Sequence, residues 1–345
     1  MNAIASRLLL PLSWLYGAAV AVRNRRYDRG HAPCERASVP VVSVGNLTVG
    51  GTGKTPLVAH LAEQLVAAGV RPAIVSRGYG GSAGHGPLVV SPGGGPRVDA
   101  TIAGDEPVWL ARRVPGALVV VGADRSAGAR TAAALSAQIV LLDDGFQHRR
   151  LMRDLDLLLL DANDPFGGGR LLPAGRLREP VASVARADVV LVTRSAPGRP
   201  SPDLERAVRR HNASAPILLA GHRATGFVDA SGRAVPQPKR ALAFCGIGDP
   251  HAFRRDLERT GVEVVGLEAF RDHHPYRPDE IEALRERARA AGAGLVTTEK
   301  DLVRLEPQRG AAAPLDLCAL RIEAFIEEGA ALLDRVRRLV RGSAA

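Results

Sequence analysis

The sequence predicts an α/β protein built on a P-loop NTPase-type, mostly parallel sheet with helices on both faces, followed by a second, smaller α/β domain. Three observations predict it. Short, near-continuous apolar runs recur along the chain between turn residues, with helix-like segments between several of them, and strands apolar on both faces belong to a covered parallel sheet. One such run leads into GNLTVGGTGKTP at 45–56 and then into LVAHLAEQLVAA, the strand, glycine-rich turn and helix that a phosphate-binding loop requires. A turn-rich stretch at 222–238, HRATGFVDASGRAVPQP, reads as a linker, after which a second strand–helix series begins.

The N-terminal segment Leu8–Val22, LLLPLSWLYGAAVAV, lies between Arg7 and the cluster Arg23, Arg25, Arg26 and Arg29. It is shorter than the roughly 20 residues a span needs, and Pro11 interrupts it. Small residues near its end resemble a cleavage site, but export would separate a nucleotide site from ATP. Leu8, Leu12, Leu15, Tyr16 and Ala19 fall on one helical face, with Trp14 and Tyr16 suited to a headgroup interface. The alternative is a helix packed on the core.

The run Val39–Val44 then delivers the loop. Gly50, Gly51 and Gly53 let consecutive backbone N–H groups curl toward a polyphosphate, and the following helix adds its N-terminal dipole. Lys54 reaches β- and γ-phosphates, Thr55 completes a Mg²⁺ shell, and Pro56 stands where no N–H is needed. The usual pattern opens on glycine where this chain has Thr48. Lys54 is one of three lysines beside 43 arginines, so a point charge rather than a guanidinium fork is kept here. The loop reads as an ATP site.

Further strands are expected at Ala73–Val75, Ala117–Val121, Ile139–Leu142, Leu155–Leu160, Val189–Val192 and Ile217–Ala220, with helices at Pro56–Ala68 and Glu106–Arg113. Ser82–Pro96 is glycine-rich and reads as a mobile loop. Ile139–Leu142 ends in Asp143-Asp144-Gly145-Phe146-Gln147-His148, carboxylates at a strand's carboxyl end, where such folds complete a Mg²⁺ site. GDEP at 104–107 opens a helix with two acids, which by themselves also suit a helix dipole. Arg77, Arg125 and Arg176 follow strands in turns, where arginine suits phosphate recognition or plain solvation.

The second series runs through Ala241–Cys245, Val262–Leu267, Gly294–Thr297 and Leu315–Ile322. It carries Asp272-His273-His274-Pro275-Tyr276, two histidines beside a carboxylate with no third ligand nearby, which suits acid–base work better than metal binding. TTEKD at 297–301 holds another rare lysine. The parts expected are therefore 1–29, 30–225 and 226–345.

Composition narrows the partners. A net charge of +10 points to an anionic partner, whether nucleic acid, a phosphorylated substrate or a membrane surface. Cys34, Cys245 and Cys318 are too scattered for a disulfide framework or a zinc site, which fits a reducing compartment.

The run of motifs, VPVVSVGNLTVGGTGKTP, SRGYGG, AGDEP, VGADR, LLDDGFQHRRLMRDLDLLLLDA, PFGGGRLLPAGRLREP, FCGIGDPHAF, FRDHHPY and LVTTEKD, resembles the tetraacyldisaccharide 4′-kinase family of lipid A biosynthesis over nearly the whole chain. The Thr48 variant of the loop resembles that family's own. The resemblance implies a peripheral enzyme on the cytoplasmic face of the inner membrane. It would move the γ-phosphate of ATP, with Mg²⁺, to the 4′-hydroxyl of an acylated diglucosamine 1-phosphate, giving lipid IVA. It implies the lipid and an anionic membrane surface as partners, and no nucleic acid. By motif, Thr48, Val49, Gly50, Gly51, Thr52, Gly53, Lys54 and Thr55 match its ATP loop, and Asp105 with His273 its catalytic pair. Thr55, Glu106, Asp143, Asp144 and Gln147 match positions around the metal, and Arg77, Tyr79, Arg125 and Arg176 its lipid contacts. A membrane-associated P-loop switch or partitioning ATPase, phosphorylating nothing, is the rival reading. It would gain little from Asp105 and His273. A soluble small-molecule kinase would leave Leu8–Val22 unexplained.

Overall fold

A computed structural model describes residues 6, 8–78, 81–82, 84, 86–195, 198–305 and 317–342. Its strands join one sheet, laid out β11-β10-β12-β13-β8-β7-β6-β1-β5-β2-β4-β3, with β9 (Ala234–Val235) paired to β8. The strands of the first unit are β1 (Val41–Asn46), β2 (Pro72–Ser76), β3 (Leu88–Ser91), β4 (Leu118–Val121), β5 (Ile139–Asp143), β6 (Leu155–Asp161) and β7 (Val189–Thr193). All of them pair in parallel except β3, which runs antiparallel along β4 at the edge. The second unit supplies β10 (Arg240–Cys245), β11 (Glu263–Ala269), β12 (Gly294–Thr298) and β13 (Leu317–Ile326).

Strand alternation sorts the core into two faces. On β5, Ile139 and Leu141 join the cluster under helix α1 (Lys54–Ala67) and helix α2 (Asp105–Arg113), while Val140 and Leu142 pack on the far side with Ala129 and Ala132 of helix α3 (Arg125–Ala134). The second unit repeats this: Leu242 and Phe244 face one way, Ala241, Ala243 and Cys245 the other.

Two readings of the sequence need correction. Ser82–Pro96, expected as a loop, contains β3 (Leu88–Ser91), whose Leu88, Val89 and Ser91 pair with β4, with a register shift at Val90, despite the glycines around them. The stretch 222–238, read as a linker, is partly strand: 222–228 belongs to a strand, the chain turns at 229–233, and Ala234–Val235 pairs back on Phe227 and Val228 as a short hairpin. β8 spans Ile217–Val228, pairing in parallel with β7 through Ile217–Leu219 and antiparallel with β13 through Ala220–Val228. One strand therefore carries the sheet from the first unit into the second. The closing helix α4 (Ala330–Gly342) also returns to the first unit, burying Leu332 and Val336 in the cluster of Leu57 and Val108.

The N-terminal helix (Leu10–Asp28) turns Ser13, Tyr16, Val20 and Arg23 toward the protein. Ser13 Oγ donates to the Leu171 carbonyl at 2.8 Å, Tyr16 Oη to the Arg178 carbonyl at 2.8 Å, and Arg23 pairs with the buried Glu179 at 2.9 Å. Leu8 just before the helix and Leu12, Trp14, Leu15 and Val22 within it are 76, 53, 72, 69 and 57% exposed. Tyr16 thus belongs to the protein-facing side, not to the face with Leu8, Leu12 and Leu15, because its hydroxyl finds a buried-side acceptor. No helix among the described residues is long and apolar enough to cross a membrane.

Candidate active site

The carboxyl ends of β1, β2, β5 and β7 share one edge of the sheet, and the motifs gather there. The loop after β1 turns through Gly50 and Gly53 at φ 112° and 86°, conformations that favour glycine, and α1 begins at Lys54. Two straps hold the loop. Arg176 folds back on it, its Nη2 donating to the Val49 carbonyl at 2.9 Å and its Nη1 reaching Asp164 at 3.3 Å. Arg194 Nη2 donates to the Gly51 carbonyl at 3.2 Å while Nη1 pairs with Asp161 at 2.7 Å. Thr48 and Thr52 are buried beneath.

Lys54 Nζ donates to Asn46 Oδ1 at 3.2 Å and lies 3.6 Å from Asp144. Burial depresses its pKa, with Asp144 opposing. Thr55 Oγ1 donates to Asp143 Oδ2 at 3.1 Å, because the β1–β5 register sets Val44 beside Asp143. The other Asp143 oxygen is buried with no hydrogen-bond partner among the described residues. Burial, then the nearby Glu106, pushes Asp143 up to about 7. Asp144 turns the opposite way, at φ 57°, into a double hydrogen bond with Arg178 at 2.7 and 2.8 Å. Its burial would raise it, but the Arg178 hydrogen bonds and the Lys54 charge hold it at about 2. Gln147 donates from Nε2 to the Asn46 carbonyl at 2.9 Å and keeps a buried, unpartnered Oε1.

Across from this group, Gly104 at φ 89° lets the chain enter α2, and Asp105 stands first in that helix. Its Oδ2 accepts from His273 Nδ1 at 3.0 Å and from Arg304 Nε at 2.7 Å. Burial works to raise Asp105, but His273 and Arg304 outweigh it and keep the carboxyl well below the usual carboxylate range. The same hydrogen bond raises His273. An ionised Asp105 fixes the tautomer: Nδ1 carries a proton, and Nε2 faces Asp272 Oδ1 at 3.9 Å. His273 has φ 58°, so three of the five positive-φ residues other than glycine among the described residues (Asp144, Arg194, His273) lie at this edge. His274 is turned away, its Nε2 2.9 Å from Glu280 and its ring stacked on Phe270. Glu106 pairs with Lys300; burial would raise Glu106, and the lysine charge lowers it.

The expected residues divide accordingly. Asp105 meets His273, Thr55 meets Asp143, and Lys54 meets Asp144. Arg125 is buried and spends its Nη1 on the Gly122 and Ala123 carbonyls at 3.3 and 3.1 Å, while Arg77 is exposed just beyond β2. Tyr79 lies outside the described residues. No group of three His, Cys, Asp or Glu side chains arranged to hold a metal occurs among the described residues. Sequence reasoning missed Asn46, Arg194 and Arg304, and saw Arg178 only as part of an arginine-rich turn. It did flag Lys300 as one of three lysines, without a role.

Comparison with known proteins adds the lineage. The family model described as LpxK, tetraacyldisaccharide-1-P 4′-kinase, matches residues 5–341. The tetraacyldisaccharide 4′-kinase of Anaeromyxobacter dehalogenans (strain 2CP-C) is 43% identical over 97% of this chain and 90% of its own. That of Geobacter metallireducens is 44% identical over 89% and 90%. A crystal structure of LpxK from Aquifex aeolicus in complex with ATP is 34% identical with a TM-score of 0.80, covering 97% of this chain and 99% of that one.

Proposed function

The chain belongs to the tetraacyldisaccharide-1-P 4′-kinase family, and from that premise we infer that it phosphorylates the 4′-hydroxyl of an acylated glucosamine disaccharide 1-phosphate with ATP. It is a kinase of lipid A biosynthesis. The observation that carries the acceptor chemistry is the Asp105–His273 pair built across the two units beside the phosphate loop. A switch ATPase has no alcohol to deprotonate and no use for such a pair.

In this reading the loop N–H groups and Lys54 hold the β- and γ-phosphates, and Lys54 leaves Asn46 and Asp144 for the nucleotide. His273 Nε2 takes the proton of the sugar hydroxyl, and Asp105 stabilises the imidazolium through Nδ1. With Lys54 drawn to the nucleotide, Arg178 still holds both oxygens of Asp144, which leaves Thr55 and Asp143 to hold Mg²⁺, with Glu106 joining them on leaving Lys300. The unpartnered buried oxygen of Asp143, crowded by Glu106, fits a divalent cation, with Gln147 Oε1 nearby in the same loop. Bound with ATP, that ion would spread the charge of the transferring phosphoryl group. Arg77, Tyr79, Arg125 and Arg176 remain candidates for the lipid headgroup. Arg125 and Arg176 would have to exchange main-chain partners for it.

The N-terminal helix supports peripheral docking at the cytoplasmic face of the inner membrane. Its exposed apolar face suits the acyl boundary, and exposed Arg25 and Arg26 would sit over anionic lipid, each worth about 1 kcal/mol near the surface. Arg23, tied to Glu179, serves the fold instead. We propose the working parts 1–29, 30–225 and 226–345, with 330–342 packed back on the first. The decisive experiment is radiolabelled ATP with acylated disaccharide in mixed micelles. Label in the lipid is expected; ATP hydrolysis without labelled lipid would return the protein to the switch class.

A further inference from the structure

The short helix Glu299–Leu305 packs on α2, and its Lys300 and Arg304, one turn apart, meet the two carboxylates that open α2. Arg304 is deeply buried, with 8% of its side chain exposed against 5% for Asp105. Its Nε grips the same Asp105 oxygen that His273 uses, at the shorter distance of the two. Its Nη1 is anchored twice, to the Gly246 carbonyl and to Asp301 Oδ1, both at 2.9 Å.

That anchor is itself fixed. Asp301 is fully buried and accepts from Tyr276 Oη at 2.7 Å, from the Gly246 N–H at 3.1 Å and, on its other oxygen, from Thr298 Oγ1 at 2.6 Å. The Gly246 carbonyl that receives Arg304 also receives the His273 main-chain N–H, at 3.1 Å. A Cβ at Gly246 would meet Arg304 Nη1 at 2.9 Å and Tyr276 Oη at 3.2 Å, so only glycine fits this corner without displacement. One carbonyl thus sets the position of the imidazole's backbone and of the guanidinium that holds its carboxylate partner.

We propose that Arg304 is a positioning residue for phosphoryl transfer: it orients Asp105 so that Oδ2 holds His273 Nδ1, from a frame of second-unit residues that also fixes His273. This rests on the reading of Asp105 and His273 as the acceptor-activating pair. A purely stabilising ion pair is the poorer account, because desolvating an arginine and two carboxylates costs about as much as their attraction returns, and apolar side chains would pack as well. Orientation is what the guanidinium adds, with Nε and Nη1 aimed in two directions at two carboxylates.

The test compares Arg304→Gln, Arg304→Lys and His273→Ala, alone and with Arg304→Gln added to His273→Ala, in the full-length enzyme in mixed micelles. Nucleotide binding is measured in parallel to check that the first unit is folded. Arg304→Gln should lower kcat by about 10²-fold, the cost of a misplaced catalytic group, with KM for ATP little changed. Arg304→Lys, which keeps the charge and loses the fork, should recover only part of it. In the His273→Ala background the same Arg304→Gln change should cost less than about threefold, since its effect runs through the imidazole. An equal loss in both backgrounds would mean a structural role and overturn the proposal, as would normal turnover in Arg304→Gln beside a slow His273→Ala. Normal turnover in His273→Ala would instead overturn the base assignment, and the proposal with it.

Discussion

At the scale of single residues, the loop was legible because glycine, lysine and threonine act there through adjacent positions. His273 was paired with Asp105 through the family motifs, but the cations on the two acids that open α2 were not legible, because Arg304 lies 199 positions from Asp105 and Lys300 lies 194 from Glu106. No local pattern links such pairs; only the docking of one helix on another does. Asp143 and Asp144 were legible as adjacent acids, but which would bond Thr55 and which Arg178 follows from the strand register and the left-handed turn at Asp144. Lys54→Ala should lower kcat by roughly three orders of magnitude or more with the fold retained, since the transferring phosphoryl group loses its cation. Near-normal turnover in that variant would remove the loop from catalysis. Asp105→Ala and His273→Ala should each slow turnover by about 10²- to 10⁴-fold, with the double variant hardly worse than either single one. Independent, multiplicative losses would break the pair apart. The pH–rate profile gives a further check. Asp105 raises His273 above its ordinary 6.5, with Asp272 adding to and Arg304 opposing that shift. The base must be neutral to accept a proton, so kcat should fall on acidification with a midpoint above 6.5. A limb down in the carboxylate range would assign the base to Asp105 alone.

At the scale of elements, apolar runs gave the strands of the first unit nearly residue for residue. They failed where neighbours supplied what the local sequence lacked. β3 survives among glycines because β4 offers an open antiparallel edge, and the second half of β8 is strand because β13 lies beside it, although its residues alternate polar and turn-forming types. The N-terminal helix and its leucines were legible, but which side faces the protein was not: Tyr16 and Arg23 look inward to the Arg178 carbonyl and to Glu179. Leu12→Glu with Leu15→Glu should therefore leave the fold and nucleotide binding intact, since both side chains point away from the protein. Partitioning onto anionic vesicles should drop by roughly two orders of magnitude, as two leucines in the acyl boundary are worth about 3 kcal/mol or more. A flotation assay that finds the double variant still bound would show that some other surface does the docking. High salt should release part of the wild-type enzyme, through the screened share of the attraction carried by Arg25 and Arg26.

At the scale of the whole molecule, two strand–helix series were expected, and one sheet runs through both. β8 belongs to both, and helix α4 from the end of the described chain seals the first. Leu332→Ala should cost about 3 kcal/mol, the usual toll of a cavity in a buried cluster, and should lower the denaturant midpoint of the nucleotide-binding unit. If 30–225 expressed alone bound ATP with full stability, the seal would be dispensable. The seal also imposes an order on biosynthesis. The nucleotide-binding half leaves the ribosome first, yet the side chains that close its core arrive more than 100 residues later, with 330–342. A nascent chain interrupted before that point leaves the cluster of Leu57 and Val108 without Leu332 and Val336, so it should gain less from ATP as a folding ligand than the full chain does. Truncated products should then be cut by protease faster than the full-length protein, and few half-enzymes should persist to bind nucleotide without the acceptor base.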